Sequence, residues 1–205
     1  MTKIKNFEGS RTGTAGRPRD DTKDEAITSA MIAMLAAHGY DGASFEKVAT
    51  AAGVSRPAIY RRWKAKELLV IDAVRAMLNE DLAAYTDDTP AHGIAAIRLL
   101  MEIVAKRLAD PEKARIIVNV IAAAVSRPEL ATLLGDLEWQ RREPLLKAIK
   151  EAQATGELSA CSDPNLIVEA LLGAVYFRRL FSQSKPDGRT TRQVVDGILG
   201  ISRLL

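Results

Sequence analysis

From Asp21 the chain places apolar residues on a helical period: Ile27, Ala30, Met31, Met34 and Leu35 fall at i, i+3, i+4, i+7 and i+8, one stripe of a helix. Asp21 is placed to cap this helix, Asp24 and Glu25 suit its positive end, and Gly39 can close it in a left-handed conformation. After an Asp41-Gly42 turn, Ser44 can cap a short second helix with the stripe Phe45, Val48, Ala49 and Ala52, which Gly53 ends. Ser55 is then expected to cap a third helix, with Pro57 in its first turn, where a missing N–H costs little.

Beyond Lys66 the segments lengthen. The pattern predicts helices at 66–85, 91–109, 112–125, 128–154, 163–183 and 189–204, separated by Asp/Thr/Pro/Gly-rich breaks, with Pro144 expected to kink or split the fourth of them. β-alternation of useful length is missing, and the fold class expected is all-α. Residues 1–19 lack apolar periodicity and carry Lys3, Lys5, Arg11, Arg17 and Arg19 among glycines and threonines, a disordered basic arm. The division expected is this arm, a three-helix unit over 20–66, and a larger helical unit over 67–205.

Charge sharpens that division. The 205 residues carry a formal +3, but residues 1–66 hold 12 Lys/Arg against 7 Asp/Glu, a net +5, and the rest hold 17 against 19, a net −2. Positive charge gathered at one end suits a polyanion-binding module joined to something else. The single cysteine, Cys161, excludes an intrachain disulfide or a cysteine-cluster metal site and suits a reducing cytoplasm. The opening MTKIKNFEGS has no apolar signal region, and the most apolar stretch, Ile116 to Val125, is about half of what a bilayer requires.

The chemistry concentrates in GVSRPAIYRRWKAKELL, residues 53–69, where basic residues alternate with aromatics. With about 100° per residue and Ile59 facing inward, Trp63 lies about 40° away, whereas Pro57 and Arg61 point to the opposite side. Ile59 and Trp63 therefore anchor a short helix that presents Arg56, Pro57, Ala58, Tyr60, Arg61 and Arg62 along its outer face and flanks. Such a helix suits a DNA major groove: Arg pairs bidentately with guanine, and Pro57 or Ala58 meets a thymine methyl. Ser55, Tyr60 and Lys66 suit phosphates, which set register. Ser44 and Lys47 of the second helix join this surface, and Arg17 and Arg19 add an electrostatic arm.

The run Gly39-Tyr40, Ser44-Phe45-Glu46-Lys47-Val48-Ala49, Ala52-Gly53-Val54-Ser55 and Ile59 to Leu68 closely resembles the DNA-binding domain of TetR-family transcriptional regulators, over about residues 20–70. Gly156-Glu157-Leu158, Asp163-Pro164 and Leu171 to Leu180 resemble the C-terminal half of many members. The resemblance implies about nine helices, a homodimer, a small-molecule effector that changes DNA affinity, base reading by the start of helix 3, and a phosphate contact by Lys66. One departure is Ala65, which stands where the family often has a small polar cap.

In such a dimer the last two helices pair with their mates. Leu166, Ala170, Gly173, Ala174 and Phe177 form one stripe for this purpose, and Val194, Val195, Ile198, Leu199 and Ser202 form another. An effector pocket among the middle helices is expected from Met101, Ile117, Val120, Ile121, Trp139, Tyr176 and Phe177, with Asn119, Arg178 or Glu138 as polar handles. Enzyme chemistry is unsupported: the only histidines are His38 and His92, and no nucleophile elbow, phosphate-binding loop or HExxH run is present. No cofactor and no metal are expected. The partners expected are a palindromic double-stranded operator, an effector of unknown identity and a second copy of the chain. A ligand-independent DNA binder is the alternative.

Overall fold

The computed structural model describes residues 21–83, 91–182 and 187–201. Arg17, Arg19 and Ser202 lie outside the described residues, as does the rest of the basic arm. Among the described residues nine helices follow in order: α1 Asp21–Gly42, α2 Phe45–Ala52, α3 Arg56–Arg62, α4 Lys66–Ala83, α5 Gly93–Ala109, α6 Pro111–Ala124, α7 Pro128–Ala154, α8 Pro164–Leu180 and α9 Gly188–Ile198.

Local chemistry sets most of these ends. Ser44 Oγ accepts from Lys47 N at 3.3 Å to open α2, and Gly53 closes it at φ 64°. Asp110 precedes Pro111 and accepts from Glu112 N at 2.8 Å and Lys113 N at 3.1 Å; Asp163 before Pro164 and Asp187 before α9 act in the same way. An acidic cap followed by proline satisfies orphan N–H groups and then removes one more. At the far end α9 stops six residues short of the predicted boundary. Gly200 turns left-handed at φ 66°, and Ile201 N returns to Asp196 O at 2.8 Å, a C-terminal wrap that consumes the last carbonyls.

Three expectations change. Ser55 sits at the N-cap of α3 with extended backbone, but its side chain makes no cap hydrogen bond. Trp63 lies beyond the last turn of α3, at φ −116° and ψ 112°, and reaches the core from there while Nε1 donates to Asp72 Oδ2 at 2.8 Å. Pro144 lies inside a continuous α7 and does not divide it.

Packing places one apolar cluster from Ile27 in α1 to Val195 in α9. α1 packs on α2, α4 and α6; α4 also packs on α7; α5 packs on α7, α8 and α9. The three-helix unit therefore rests directly on the larger one, through α1 against α6 and through α4. None of the helices searched among the described residues is long and apolar enough to cross a membrane.

Candidate nucleic-acid interface and internal cleft

α3 is held by Ile59, which is fully buried, and by Trp63. Its outer surface carries Ser55, Arg56, Pro57, Tyr60 and Arg61, all exposed, with Ala58 half-buried between them. Tyr60 is 44% exposed and its ring meets Phe45 edge-on, centroids 4.9 Å apart. That contact fixes the ring from α2 and leaves the phenol outward. Arg56 lies 3.8 Å from Glu46, a loose pair between two exposed side chains that a polyanion can displace. Lys47 is exposed beside this surface and donates to Gly42 O at 2.9 Å. Ser44 caps α2 through its oxygen, which leaves its hydroxyl proton free to donate outward.

Two residues expected on this surface are engaged elsewhere. Arg62 pairs with Asp24 of α1, and both side chains are largely shielded. It ties the end of α3 to the first turn of α1 rather than facing outward with Arg61. Lys66 Nζ donates to Tyr40 O at 2.8 Å and Ala43 O at 3.1 Å, and lies 3.9 Å from the centroid of the Tyr40 ring. Burial pushes its ammonium below the usual lysine range, partly opposed by Asp41 and Glu67. In the free chain the ammonium thus clamps the carbonyl end of α1.

That clamp belongs to a larger junction. The Tyr40 phenol donates to Glu67 Oε1 at 2.6 Å, and the Arg127 guanidinium lies 4.8 Å from the Tyr40 ring centroid. Arg127 also donates to Asp41 Oδ1 at 2.6 Å and to Ala123 O at 3.0 Å. Tyr40 is therefore held by a lysine from the start of α4 and an arginine from the α6–α7 turn, a cation–π arrangement. Burial, then the hydrogen bond to Glu67, pushes the phenol well above its ordinary value, and the same bond holds Glu67 below the usual carboxylate range. One residue before Tyr40, Gly39 adopts φ 66° and ψ −173°, a conformation open essentially to glycine alone.

Farther from α3 a cleft opens between α4, α5, α6, α7 and α8 in two chambers. The first, of about 250 Å³, is lined by Arg75, Arg107, Arg141 and Arg142 with Asn79, Gln140 and Glu138. The second, of about 300 Å³, is lined by Val74, Ile117, Val120, Ile121 and Leu134, with Glu169 and Gly173 at its α8 side. Leu78, Leu137, Glu138, Arg141, Arg142, Leu172 and Tyr176 serve both. Arg107 is only 6% exposed, and its Nη2 donates to Leu78 O at 3.2 Å. Arg141 pairs with Glu138 at 2.8 Å and Arg142 reaches Glu169 at 3.5 Å. Burial, then Glu138, pushes the Tyr176 phenol above its ordinary value, so it stands in the cleft as a neutral hydroxyl at physiological pH.

Of the residues expected to form a pocket, Ile117, Val120, Ile121 and Tyr176 line the second chamber, with Glu138 as a polar neighbour. Met101 is fully buried in the apolar core and lines neither chamber. Trp139, 67% exposed, lies outside the cleft, and Phe177, 59% exposed, stacks on Phe181 at 5.1 Å on the outer side of α8. Asn119 turns the other way: its Nδ2 would lie 3.5 Å from a Cβ placed on Gly39, so it abuts the kink of α1. The arginines of the first chamber were missed. Arg107 offered a signal, since it falls four residues after Ile103 and seven after Leu100, on an otherwise apolar face.

Along α8, Leu166, Ala170, Gly173 and Phe177 are exposed and Ala174 is half-buried; Ile198 of α9 is exposed and Val194 and Leu199 are half-buried. Val195 departs from the expected interface. It is fully buried in the intrachain core, as the packing of α9 on α5 requires.

The comparisons agree with this layout. The profile described as "Bacterial regulatory proteins, tetR family" matches residues 27–73, and "Tetracyclin repressor-like, C-terminal domain" matches 95–198. An uncharacterised HTH-type transcriptional regulator of Bacillus subtilis, YdeS, is 24% identical over 186 residues, covering 88% of this chain and 89% of YdeS. Salmonella enterica GusR superposes with a TM-score of 0.72 at 20% identity, covering 89% of this chain and 97% of GusR. Bacillus subtilis FadR, a transcriptional regulator solved in complex with stearoyl-CoA, superposes with a TM-score of 0.71 at 18% identity, covering 87% of this chain and 99% of FadR. With one profile matching residues 27–73 and another matching 95–198 of an all-helical chain, the chain belongs to the tetR family of DNA-binding transcriptional regulators.

Proposed function

We propose that the chain acts in the cytoplasm as a homodimeric repressor, released from a palindromic operator when a small molecule occupies the cleft. Residues 20–66 form the reading head, with the 1–19 arm adding electrostatic attraction, and 67–205 form the sensing and pairing body. In each half-site α3 enters the major groove: Arg61 and Arg56 read base edges, Pro57 and Ala58 supply apolar contact, and Ser44, Lys47, Ser55 and Tyr60 meet backbone. The exposed stripe of α8, from Leu166 to Phe177, together with Ile198 supports pairing of two copies there.

The observation that carries the reading is that α4 takes part in both sites. Its first turn holds Tyr40 through Lys66 and Glu67, and Val74, Arg75 and Leu78 wall the cleft. α6 runs in parallel to this, with Ile117 and Val120 in the cleft and Asn119 against Gly39. A ligand that spreads α4 from α6 favours a dimer with wrongly spaced heads, and operator affinity falls by the coupling free energy. That FadR, with the same fold, holds stearoyl-CoA supports ligand control here.

The test pairs sedimentation with fluorescence anisotropy on a genomic fragment selected by the protein. The reading expects a dimer at micromolar concentration and one dimer per two-fold-symmetric site. A monomer bound to an asymmetric site would contradict it.

A further inference from the structure

Resting on the entry of α3 into the major groove, we propose that Glu46 of α2 is a specificity-determining residue. Its carboxylate accepts from the exocyclic amino group of a cytosine beside the guanine taken by Arg56.

Residues 44–66 carry six basic side chains, Lys47, Arg56, Arg61, Arg62, Lys64 and Lys66, and a single acid, Glu46. An anion on a surface that meets a polyanion lowers affinity for every duplex, whatever its sequence. Glu46 nevertheless stands there in the open. Its side chain is 74% exposed, and Oε1 lies 3.8 Å from Nη1 of Arg56, itself 53% exposed. The helix dipole favours an acid in the first turn of α2, but it does not direct the carboxylate toward α3. Nor does Glu46 complete a capping box: the Ser44 oxygen accepts from Lys47 N, and Lys47 itself stands where the reciprocal acid would be.

Within reach of Arg56, the carboxylate sits beside the first turn of α3, the part of a recognition helix that meets base edges. An ionised carboxylate only accepts, so in the major groove it must face an amino group. Guanine and thymine present acceptors there, and adenine sets the N7 acceptor beside its N6 amino group, whereas cytosine presents N4–H₂ as a donor. Cytosine therefore suits it best. Arg56, released from the pair, forks onto O6 and N7 of guanine. A 3.8 Å pair between exposed groups is weak enough to open for this exchange. Glu46 thus lowers affinity for DNA in general and adds discrimination at one base pair.

Selection and sequencing of bound random DNA with the parent chain, Glu46→Gln and Glu46→Ala tests this, followed by fluorescence anisotropy on the parent's best duplex and on a scrambled one. Glu46→Ala is expected to lose about tenfold of preference at one base pair per half-site, distinct from the pair lost in Arg61→Ala, and to bind the scrambled duplex more tightly than the parent. Glu46→Gln, whose amide both donates and accepts, should move the same position from cytosine toward adenine. Melting temperatures should stay those of the parent. An unchanged motif in both variants, with tighter binding to every duplex alike, would overturn the proposal and leave the docking of α3 standing. A melting temperature that falls in step with the lost preference would also overturn it, by making Glu46 a support of α2. A parent that enriches no motif would overturn it together with the docking of α3.

Discussion

The reading head and the cleft are both built from arginines and a tyrosine, yet they hold them in opposite ways. On α3, Arg56 and Arg61 stand in solvent around a half-exposed Tyr60, anchored from beneath by Ile59. In the cleft, Arg107 and Arg141 are shielded, tied to Leu78 O and Glu138, around a desolvated Tyr176. Exposed guanidiniums cost little to keep free and can exchange counterions for a phosphate backbone, which makes their binding strong and salt-dependent. Shielded ones are dear to leave unmatched and so discriminate between small ligands. The same residue types thus stand open to a polyanion at one end and are paired with carboxylates around the cleft at the other.

The comparison can be broken first at the anchor. Ile59→Ala removes the buried contact that seats α3 and should cost about 2–5 kcal/mol, read as a lower melting temperature with operator binding lost alongside. Arg61→Ala should do the reverse: melting within about 0.5 kcal/mol of the parent, but operator affinity down by about 1–3 kcal/mol with preference relaxed at one base pair per half-site. If Arg61→Ala lowers stability as much as affinity, the side chain is structural and the outer-face assignment fails.

The junction between the two regions gives smaller effects. Lys66→Ala should cost about 1–3 kcal/mol of stability, because the Tyr40 and Ala43 carbonyls lose a charged donor. Its salt dependence of operator binding should stay that of the parent; a slope smaller by about one would restore the phosphate role read from sequence. Gly39→Ala should cost about 1–3 kcal/mol through backbone strain alone, since a Cβ there meets Asn119 Nδ2 at an ordinary 3.5 Å.

Tyr40→Phe should have the smallest effect at neutral pH, about 1.5 kcal/mol or less, a melting shift of at most about 3–6 °C. Its pH dependence is the sharper reading. Because the Tyr40 hydrogen bond holds Glu67 below its unfolded value of about 4.3, the stabilisation is full above that pH and is lost as pH falls through the lower folded value. Thermal melts should therefore show parent and Tyr40→Phe converging on acidification. A gap that stays constant to pH 3 would contradict the pairing.

Much of this was legible in the sequence, and the failures share one cause. Caps at Ser44, Asp110, Asp163 and Asp187 are local chemistry, so helix starts could be read closely. The orientation of α3 followed from helical angle, which separates Ile59 from Arg61 without any knowledge of neighbours. Periodicity tells that a residue is buried, not against what. Val195 was therefore assigned to a second copy when it packs within its own chain, and Asn119 to a pocket when it abuts α1. The intrachain partners of Arg62 and Lys66 are hidden for a related reason: Asp24 is 38 positions away from Arg62 and Tyr40 is 26 from Lys66, and no spacing rule connects them. The cleft arginines come from three helices, so their convergence is a property of packing.

The central claim, that α3 reads a two-fold-symmetric operator through Arg61, is tested most directly by selection and sequencing of bound random DNA with the parent chain and Arg61→Ala side by side. The account predicts that the parent enriches one palindrome whose half-sites lie about 34–36 Å apart, and that the variant loses preference at the same base in each half-site while keeping the spacing. An identical motif from both proteins would contradict it.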